Sequence, residues 1–414
     1  YNTVDSIIVG RYVGDNALAA VGSASPILNL LIVLFIGISV GVSIMVAQYF
    51  GAKEREELSS TIGGCVTLTA IVAIALMIVS PFVVRPMLEM LHTPASIIDW
   101  CTSYLIIMMV GIAGMAYYNI LSGVLRGLGD SVSALVYLLV ATVLNIGLDL
   151  LFVAVWKTGT WGAAAATVLA QFIALVICCF YMIHKYELLR LNKNDFKDLE
   201  SKMIKEMLAT GMSMGFMSSL VNIGSLTLQT AINKLGQEII VAHTAARKIT
   251  EIYMIMFSVF GQTMATFCGQ NMGAGKVDRI KEGMKLAIIY TCVWSTFAMI
   301  ASYTIGPQLV HMVTGSHKDV VIVNATNYLK FNTIFYYVPA VISIVRNVMQ
   351  GIGDQITPLV SSGLEMVGKV VIAFTLVPLM GYAGVIVAEP IVWFIMVIPL
   401  LVQIIRTPKL KANK

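Results

Sequence analysis

The stretch VSALVYLLVATVLNIGLDLLFVAVW, residues 132–156, runs for 25 residues with one charged side chain, Asp149. About 20 apolar residues, rising 1.5 Å each, cross the ~30 Å hydrocarbon layer of a bilayer. The segment therefore reads as a transmembrane helix. Working outward, runs of the same kind occupy residues 27–47, 66–84, 106–118 and 163–181, and then 207–231, 249–267, 287–305, 331–348, 359–379 and 385–405. Residues 1–10 are apolar but too short to span, and no Met precedes them, so the chain is expected to begin inside its first helix, with the N-terminal part missing. With that stub the count is twelve. Composition agrees: 58% of residues are hydrophobic and 12% charged, against about a quarter charged in a soluble domain.

The charges that remain are unevenly placed. Assigning the loops alternately to two sides puts 18 Lys and Arg on one side, including Lys53, Arg126, Lys185, Lys276 and Arg346, and six on the other. Because Lys and Arg resist translocation, both termini are expected to be cytoplasmic. The longest polar stretch, residues 185–205, reads as a cytoplasmic linker, giving an N-terminal lobe of residues 1–190 and a C-terminal lobe of residues 191–414. Its mixed charges suit a solvated segment beside anionic lipid and give no reason to expect nucleic acid. The six cysteines show no metal-ligand spacing and read as structural thiols. No cleavable leader or lipidation motif is legible.

The two lobes echo one another. At an offset of 222 residues Gly14 matches Gly236, and Gln48, Gly51 and Ala52 match Gln270, Gly273 and Ala274. At 224, Tyr104 and Leu105 match Tyr328 and Leu329, and Gly127, Gly129 and Asp130 match Gly351, Gly353 and Asp354. Six helices per copy return the chain to the same side, so the copies are a parallel repeat about an axis along the membrane normal. The expected fold is an all-α integral membrane protein of twelve helices in two pseudo-symmetric six-helix bundles, with substrate binding between them.

The segments VDSIIVG (4–10), LAAVG (18–22), VAQYFGA (46–52), LRGLGD (125–130), NIGLD (145–149) and GQNMGAG (269–275), in this order, resemble the multidrug and toxic compound extrusion (MATE) family over essentially the whole chain. The resemblance implies a secondary active exporter of organic, cationic, amphipathic compounds in exchange for Na+ or H+, with no other cofactor. It also implies a monomer in the plasma membrane of a bacterium or archaeon. Asp5, Asn145 and Asp149 look like the branch, including DinF-like members, whose cation site lies in the N-terminal lobe, and Thr167 resembles a hydroxyl at that site. Another branch is associated with acidic residues on helices 7 and 10, and residues 213–231 and 331–348 contain none.

The residues themselves point the same way. Asn145 and Asp149 are four apart on one helix face, and Asn2 and Asp5 form an i, i+3 pair. Carboxylate, amide and hydroxyl oxygens suit a hard cation such as Na+, and two facing carboxyls can share a proton. The alternative is a helix-packing role. At the repeat offsets Asp5 falls on Thr227, Asn145 on Lys369 and Asp149 on Ala373, so these carboxyls occur in one lobe only.

The C-terminal lobe has charges of its own: His243, Arg247, Lys248 and Glu251, then Glu365 and Lys369, then Glu389. Glu365 and Lys369 have the order of an i, i+4 ion pair, and Glu251 lies one turn from Arg247. Arg247, Lys248 and Glu251, together with Asn2, Asn119, Tyr336 and Tyr337, are candidates for a substrate or charge network, and Met212, Met214 and Met217 for adaptable apolar contacts. Ordinary packing is the competing account. Residues 211–215, GMSMG, mimic a nucleophile elbow but lie in an apolar helical run, and Gly275-Lys276 lacks a phosphate-loop context. ATP is not the expected energy source. Two rivals stay open: a lipid-linked saccharide flippase of the same superfamily, and an intramembrane enzyme, for which neither a nucleophile with its base nor a metal set is visible.

Overall fold

The computed structural model describes residues 2–90, 93–189, 201–315 and 318–411, and among them every regular element is helical. The first half comprises α1 (Asn2–Tyr12), α2 (Asp15–Ala52), α3 (Arg55–Met90), α4 (Ile98–Val110), α5 (Ile112–Gly127), α6 (Ser131–Asp149) and α7 (Thr160–Lys185). The second comprises α8 (Ser201–Asn233), α9 (Gln237–Gly273), α10 (Val277–Thr314), α11 (Asp319–Ile334), α12 (Tyr337–Gly351), α13 (Ile356–Phe374), α14 (Leu376–Met380) and α15 (Tyr382–Arg406). Eight of these are long and apolar enough to cross a membrane, and two bent pairs, α4 with α5 and α11 with α12, bring the number to ten. Adding α8 and the short α1 gives the twelve segments. Their outward faces carry side chains such as Phe82, Leu379 and Ile405, each more than 70% exposed, an arrangement suited to lipid and costly in water.

Contacts cluster into two compact units that divide at Met212 and Ser213, inside α8, with Gly51–Lys53 grouped with the second. The first turns of α8 belong with the N-terminal unit because Gly41 on α2 lets Thr210 and Gly211 approach closely. The linker residues 190–200 lie outside the described residues.

Each unit repeats the other's turns. The left-handed backbone at Gly14 (φ 115°), Lys53 (63°), Gly129 (88°) and Gly159 (74°) recurs at Gly236 (103°), Gly275 (68°), Gly353 (81°) and Gly381 (60°). Such φ values disfavour any residue with a Cβ. The fourth span breaks at Gly111 with a 48° bend and its counterpart at Phe335 with 58°. Close helix approach recurs as well. A Cβ at Gly127 would stand 2.7 Å from the Ser43 carbonyl oxygen and 2.8 Å from Val46, and one at Gly351 would stand 2.6 Å from that of Ala265 and 2.9 Å from Cys268. Ser43 and Val46 are the 222-residue counterparts of Ala265 and Cys268.

The turns before α6 and α13 are capped alike. Asp130 accepts from the Ser133 amide at 3.1 Å and its hydroxyl at 2.8 Å, and Asp354 accepts from the Thr357 amide at 3.1 Å and its hydroxyl at 2.8 Å. The helix following each span end then reaches back. Lys185 and Tyr186 donate to Asp130 at 2.8 and 2.6 Å, while Lys409 donates to the carbonyls of Ile352 and Gly353 at 2.9 and 3.2 Å. Partial burial alone would raise the Asp130 carboxyl, but the Lys185 ammonium and the Tyr186 and Ser133 donors outweigh it and hold the group below the usual carboxylate range.

Two outcomes follow from this packing. Gly127→Ala and Gly351→Ala should each cost about 1–3 kcal/mol by overpacking, whereas Gly363→Ala, which meets nothing within 4 Å, should leave thermal unfolding of the purified protein unchanged or slightly improved. Because the Asp130 pKa is depressed by folding, its stabilisation is complete above the unfolded carboxylate value near 3.9 and fades as pH falls from there through the lower folded value. Asp130→Asn should therefore lower the unfolding midpoint at pH 7, and the difference from wild type should shrink below about pH 4.

Candidate ion pocket and the charge network of the second unit

Asp5 on α1, Asn145 and Asp149 on α6 and Thr167 on α7 meet in one pocket of the first unit. All four are buried, with exposures of 0, 1, 0 and 2% in that order. The Asn145 amide Nδ2 donates to Asp149 Oδ2 at 3.4 Å and to Thr167 Oγ1 at 3.1 Å. The Thr167 hydroxyl has Asp5 Oδ2 and the Ala163 carbonyl as acceptors, both at 3.1 Å, but a single proton to give. The two carboxyls are also within hydrogen-bonding reach of one another.

These donors do not suffice. Asp5 Oδ1, Asp149 Oδ1 and Asn145 Oδ1 are all buried without a hydrogen-bond partner, a state that costs several kcal/mol for a charged group. Two adjacent carboxylates can both stay ionised there only with a bound cation, and without one a carboxylate must take up a proton. Three orphaned oxygens beside the Thr167 hydroxyl form the all-oxygen set that a hard monovalent or divalent cation takes. Among the described residues no group of three or more His, Cys, Asp and Glu gathers as a transition metal would need.

One feature of the pocket is invisible to motif reading. Immediately after Asp149 the helix widens into a π-helical segment, Leu150–Val155, a distortion frequent at functional sites. The counterpart of Leu150 is Phe374, where α13 ends before the short α14. The irregularity therefore belongs to the repeat, and only the first copy places a carboxyl beside it.

Other candidate residues lie elsewhere. The Asn2 side chain is outside the described residues. Asn119 donates to its own helix at Met115, 2.8 Å away, and its backbone carbonyl accepts from Ser39, so it does not join the pocket. Tyr336 is fully buried in an aromatic cluster with Tyr253, Phe257 and Trp393 and donates to Thr250 at 3.3 Å. Its ring is core and offers no exposed contact. Tyr337 is half-buried and shares a 2.8 Å hydrogen bond with Thr296. Met214 and Met217 are buried against the Gln350 amide. Met212 is exposed at the mouth of an apolar cavity of about 70 Å³ that Phe35, Ile38, Leu68 and Val72 also line.

The charges of the second unit form one network. Lys369 Nζ lies 2.9 Å from Glu365 and 3.5 Å from Glu389, Arg247 lies 3.4 Å from the same Glu389 oxygen, and Arg346 lies 3.8 Å from Glu365. Glu251, one turn from Arg247, pairs instead with Lys248 at 3.5 Å, both side chains being exposed. Arg247 turns to Glu389, 142 positions away in sequence, because that carboxyl is buried and within reach of two cations. Arg346 and Glu389 are the members that sequence spacing could not join.

A bundle of apolar spans with a buried, under-compensated pair of carboxyls fits a membrane transport protein. The MatE family profile matches residues 1–151 and 213–375. The chain belongs to the MATE family of multidrug efflux transporters. It is similar to the probable multidrug resistance proteins YoeA and YpnP of Bacillus subtilis. YoeA is 27% identical over 382 residues, 90% of this chain and 82% of that one, and YpnP 26% identical over 364 residues, 87% and 80%. A solved structure of a MATE transporter in its bent conformation superposes with a TM-score of 0.90 at 21% identity, covering 99% of this chain and 92% of the other.

Breaking the charge network should act through stability. Glu365→Gln leaves Lys369 and Arg346 short of a carboxylate and is expected to destabilise the purified protein by about 3–5 kcal/mol, read as a lower unfolding midpoint. The ion dependence of transport by the folded fraction should stay as in wild type, and a changed ion dependence would mean that Glu365 takes part in coupling.

Proposed function

We propose that this chain is a secondary active antiporter that exports organic compounds in exchange for Na+ or H+ by alternating access. The observation that carries the reading is the set of three unpartnered oxygens on Asp5, Asn145 and Asp149. A buried carboxyl pair without a counter-charge is stable only with an added cation or proton, so ion binding there is linked to conformation if one state favours it over the other. Thr167 and Asn145 orient the oxygens. The carboxyls hold the ion.

The exported compounds are amphipathic and basic on this reading, and the antiporter works as a monomer among lipids of the plasma membrane of a prokaryote. Both termini face the cytoplasm, because the Lys and Arg of the loops concentrate on that side. The lobes are residues 1–190 and 191–414. One observation favours the rival, a lipid-linked saccharide flippase: Arg247, Arg346 and Lys369 outnumber the two carboxylates they meet.

The test is transport by the purified protein in proteoliposomes with Na+ and H+ gradients imposed separately. Wild type should export a lipophilic cation with one gradient or both. Asp149→Asn keeps the shape of the side chain and removes its charge, so the variant should fold yet lose gradient-driven export by at least tenfold, and Asp5→Asn should do the same, consistent with a site in which one buried charge is worth more than ~1.4 kcal/mol. Full coupled export by folded Asp149→Asn protein would sink the proposal. Movement of a lipid-linked saccharide in place of the cation would favour the rival.

A further inference from the structure

The repeat that builds the ion pocket of the first unit places a cluster of ionised side chains at the matching part of the other, with net charge of the opposite sign. Asn145 corresponds to Lys369, Asp5 and Asp149 correspond to the uncharged Thr227 and Ala373, and Tyr104 corresponds to Tyr328, while from Gly159 and Gly381 onward the offset is again 222 and Thr167 corresponds to Glu389. Two of the counterparts also meet in space, Lys369 and Glu389 at 3.5 Å, and Tyr328 is within hydrogen-bonding reach of Arg247, which joins the same carboxylate. Where the first pocket holds two carboxyls and no basic group, the cluster gathers Arg247, Arg346 and Lys369 around Glu365 and Glu389. Its formal charge among the described residues is one positive, with His243 beside it counted as neutral.

We propose that this cluster is an anion-binding site centred on Arg247. It takes a compact anionic group, either a carboxylate or phosphate carried beside the basic group of the compound being moved or a free inorganic anion. The cations differ in access: the Lys369 side chain is 4% exposed, that of Arg346 17% and that of Arg247 37%. The excess charge therefore reaches a ligand at Arg247. Its carboxylate contact is long, 3.4 Å, and made to an oxygen that Lys369 also uses. A guanidinium has five donors in a planar fork suited to oxyanions, so most of its capacity remains after Glu389 and Tyr328 are served. An ionised side chain inside a span does not face hydrocarbon, so the exposed part of Arg247 meets water or a ligand. The buried Nε of Arg346, which has no hydrogen-bond partner, adds a second unspent donor to the same network.

The binding arm of the test uses no gradient, so its outcome is separate from that of the antiport reading. Chloride and inorganic phosphate are titrated in turn into the purified, detergent-solubilised protein, with a bulky organosulfonate holding ionic strength, and the unfolding midpoint is followed. Wild type should show a saturable rise with at least one of the two ions, or with an acid-bearing test compound. Arg247→Gln leaves two cations facing two carboxylates, a balanced network that retains the fold, and should weaken binding roughly ten- to a hundredfold, with Arg247→Lys in between. Glu389→Gln makes the excess two positive charges and should strengthen binding. A second arm compares export of a carboxylic acid with export of its methyl ester. Preference for the acid, lost in Arg247→Gln, assigns the site to the moved compound. Equal export, with stabilisation by chloride or phosphate, assigns it to an inorganic anion. The proposal is overturned if neither the inorganic ions nor the acid stabilises wild type, or if Arg247→Gln responds as wild type does.

Discussion

A carboxyl withdrawn from water into an apolar bundle must receive a counter-charge, a proton or hydrogen bonds, and Asp5 and Asp149 receive only part of that from the protein. Between them stand one amide and one hydroxyl, which together leave the Oδ1 atom of each carboxyl bare. In water the shortfall would be made up by solvent at little cost. At 0% exposure it cannot be. The pocket is thus specified by what it lacks, and the rest of the first unit is arranged around that lack. Residues Ile8, Val9, Val153, Ala163 and Ala164, each within about one helical turn of a pocket residue, belong to the buried core of that unit, and the π-helical segment after Asp149 interrupts the α6 register beside it.

The scaffold that holds the pocket is indifferent to charge. The repeat copies turns, bends and close helix approaches residue for residue, even where the residues differ. On α5 Gly123 lies against the Ser39 backbone, whereas in the second copy the small residue has crossed the interface: Gly261 on α9 receives the Asn347 side chain. What matters at such a contact is that one partner lacks a Cβ, since two backbones or a backbone and an amide must share the space. Geometry is conserved between the units by shape, so chemistry is free to diverge in the cavities between the contacts.

The sequence made some of this legible and hid the rest for physical reasons. Spans could be counted because hydrocarbon thickness demands a run of apolar residues, and the repeat could be found because its turns need Gly at φ values where a Cβ is disfavoured. Asn145 and Asp149 were read as one face because four residues make about one turn. The partner of Arg247 could not be read that way. Local spacing pointed to Glu251, but the carboxyl that compensates the guanidinium comes from α15, and only packing brings it there. In sequence Tyr336 is a candidate contact residue, and its burial depends on Tyr253, Phe257 and Trp393 from two other helices. The π-helical segment left no trace, since its residues are apolar on both sides of the distortion.

The polarity difference between the two sites follows from how a transporter can use charge. A site that exchanges an ion must be unstable when empty, and so must leave buried oxygens unsatisfied by the protein itself. A network that needs no exchangeable cation is the reverse, with each buried carboxylate met by a tethered cation, because breaking such a pair leaves an unpaired charge in a low-dielectric interior. Lys369 replaces the amide of Asn145 with an ammonium, and Glu389 replaces the hydroxyl of Thr167 with a carboxylate, which converts the first kind of site into the second on one scaffold. Had both copies kept carboxyls, each would need its own ion in the same conformation. With the carboxylates of the second copy held by its own cations, one exchangeable cation site per chain remains on this reading, and the conformational preference of a single cation or proton is enough to drive the cycle.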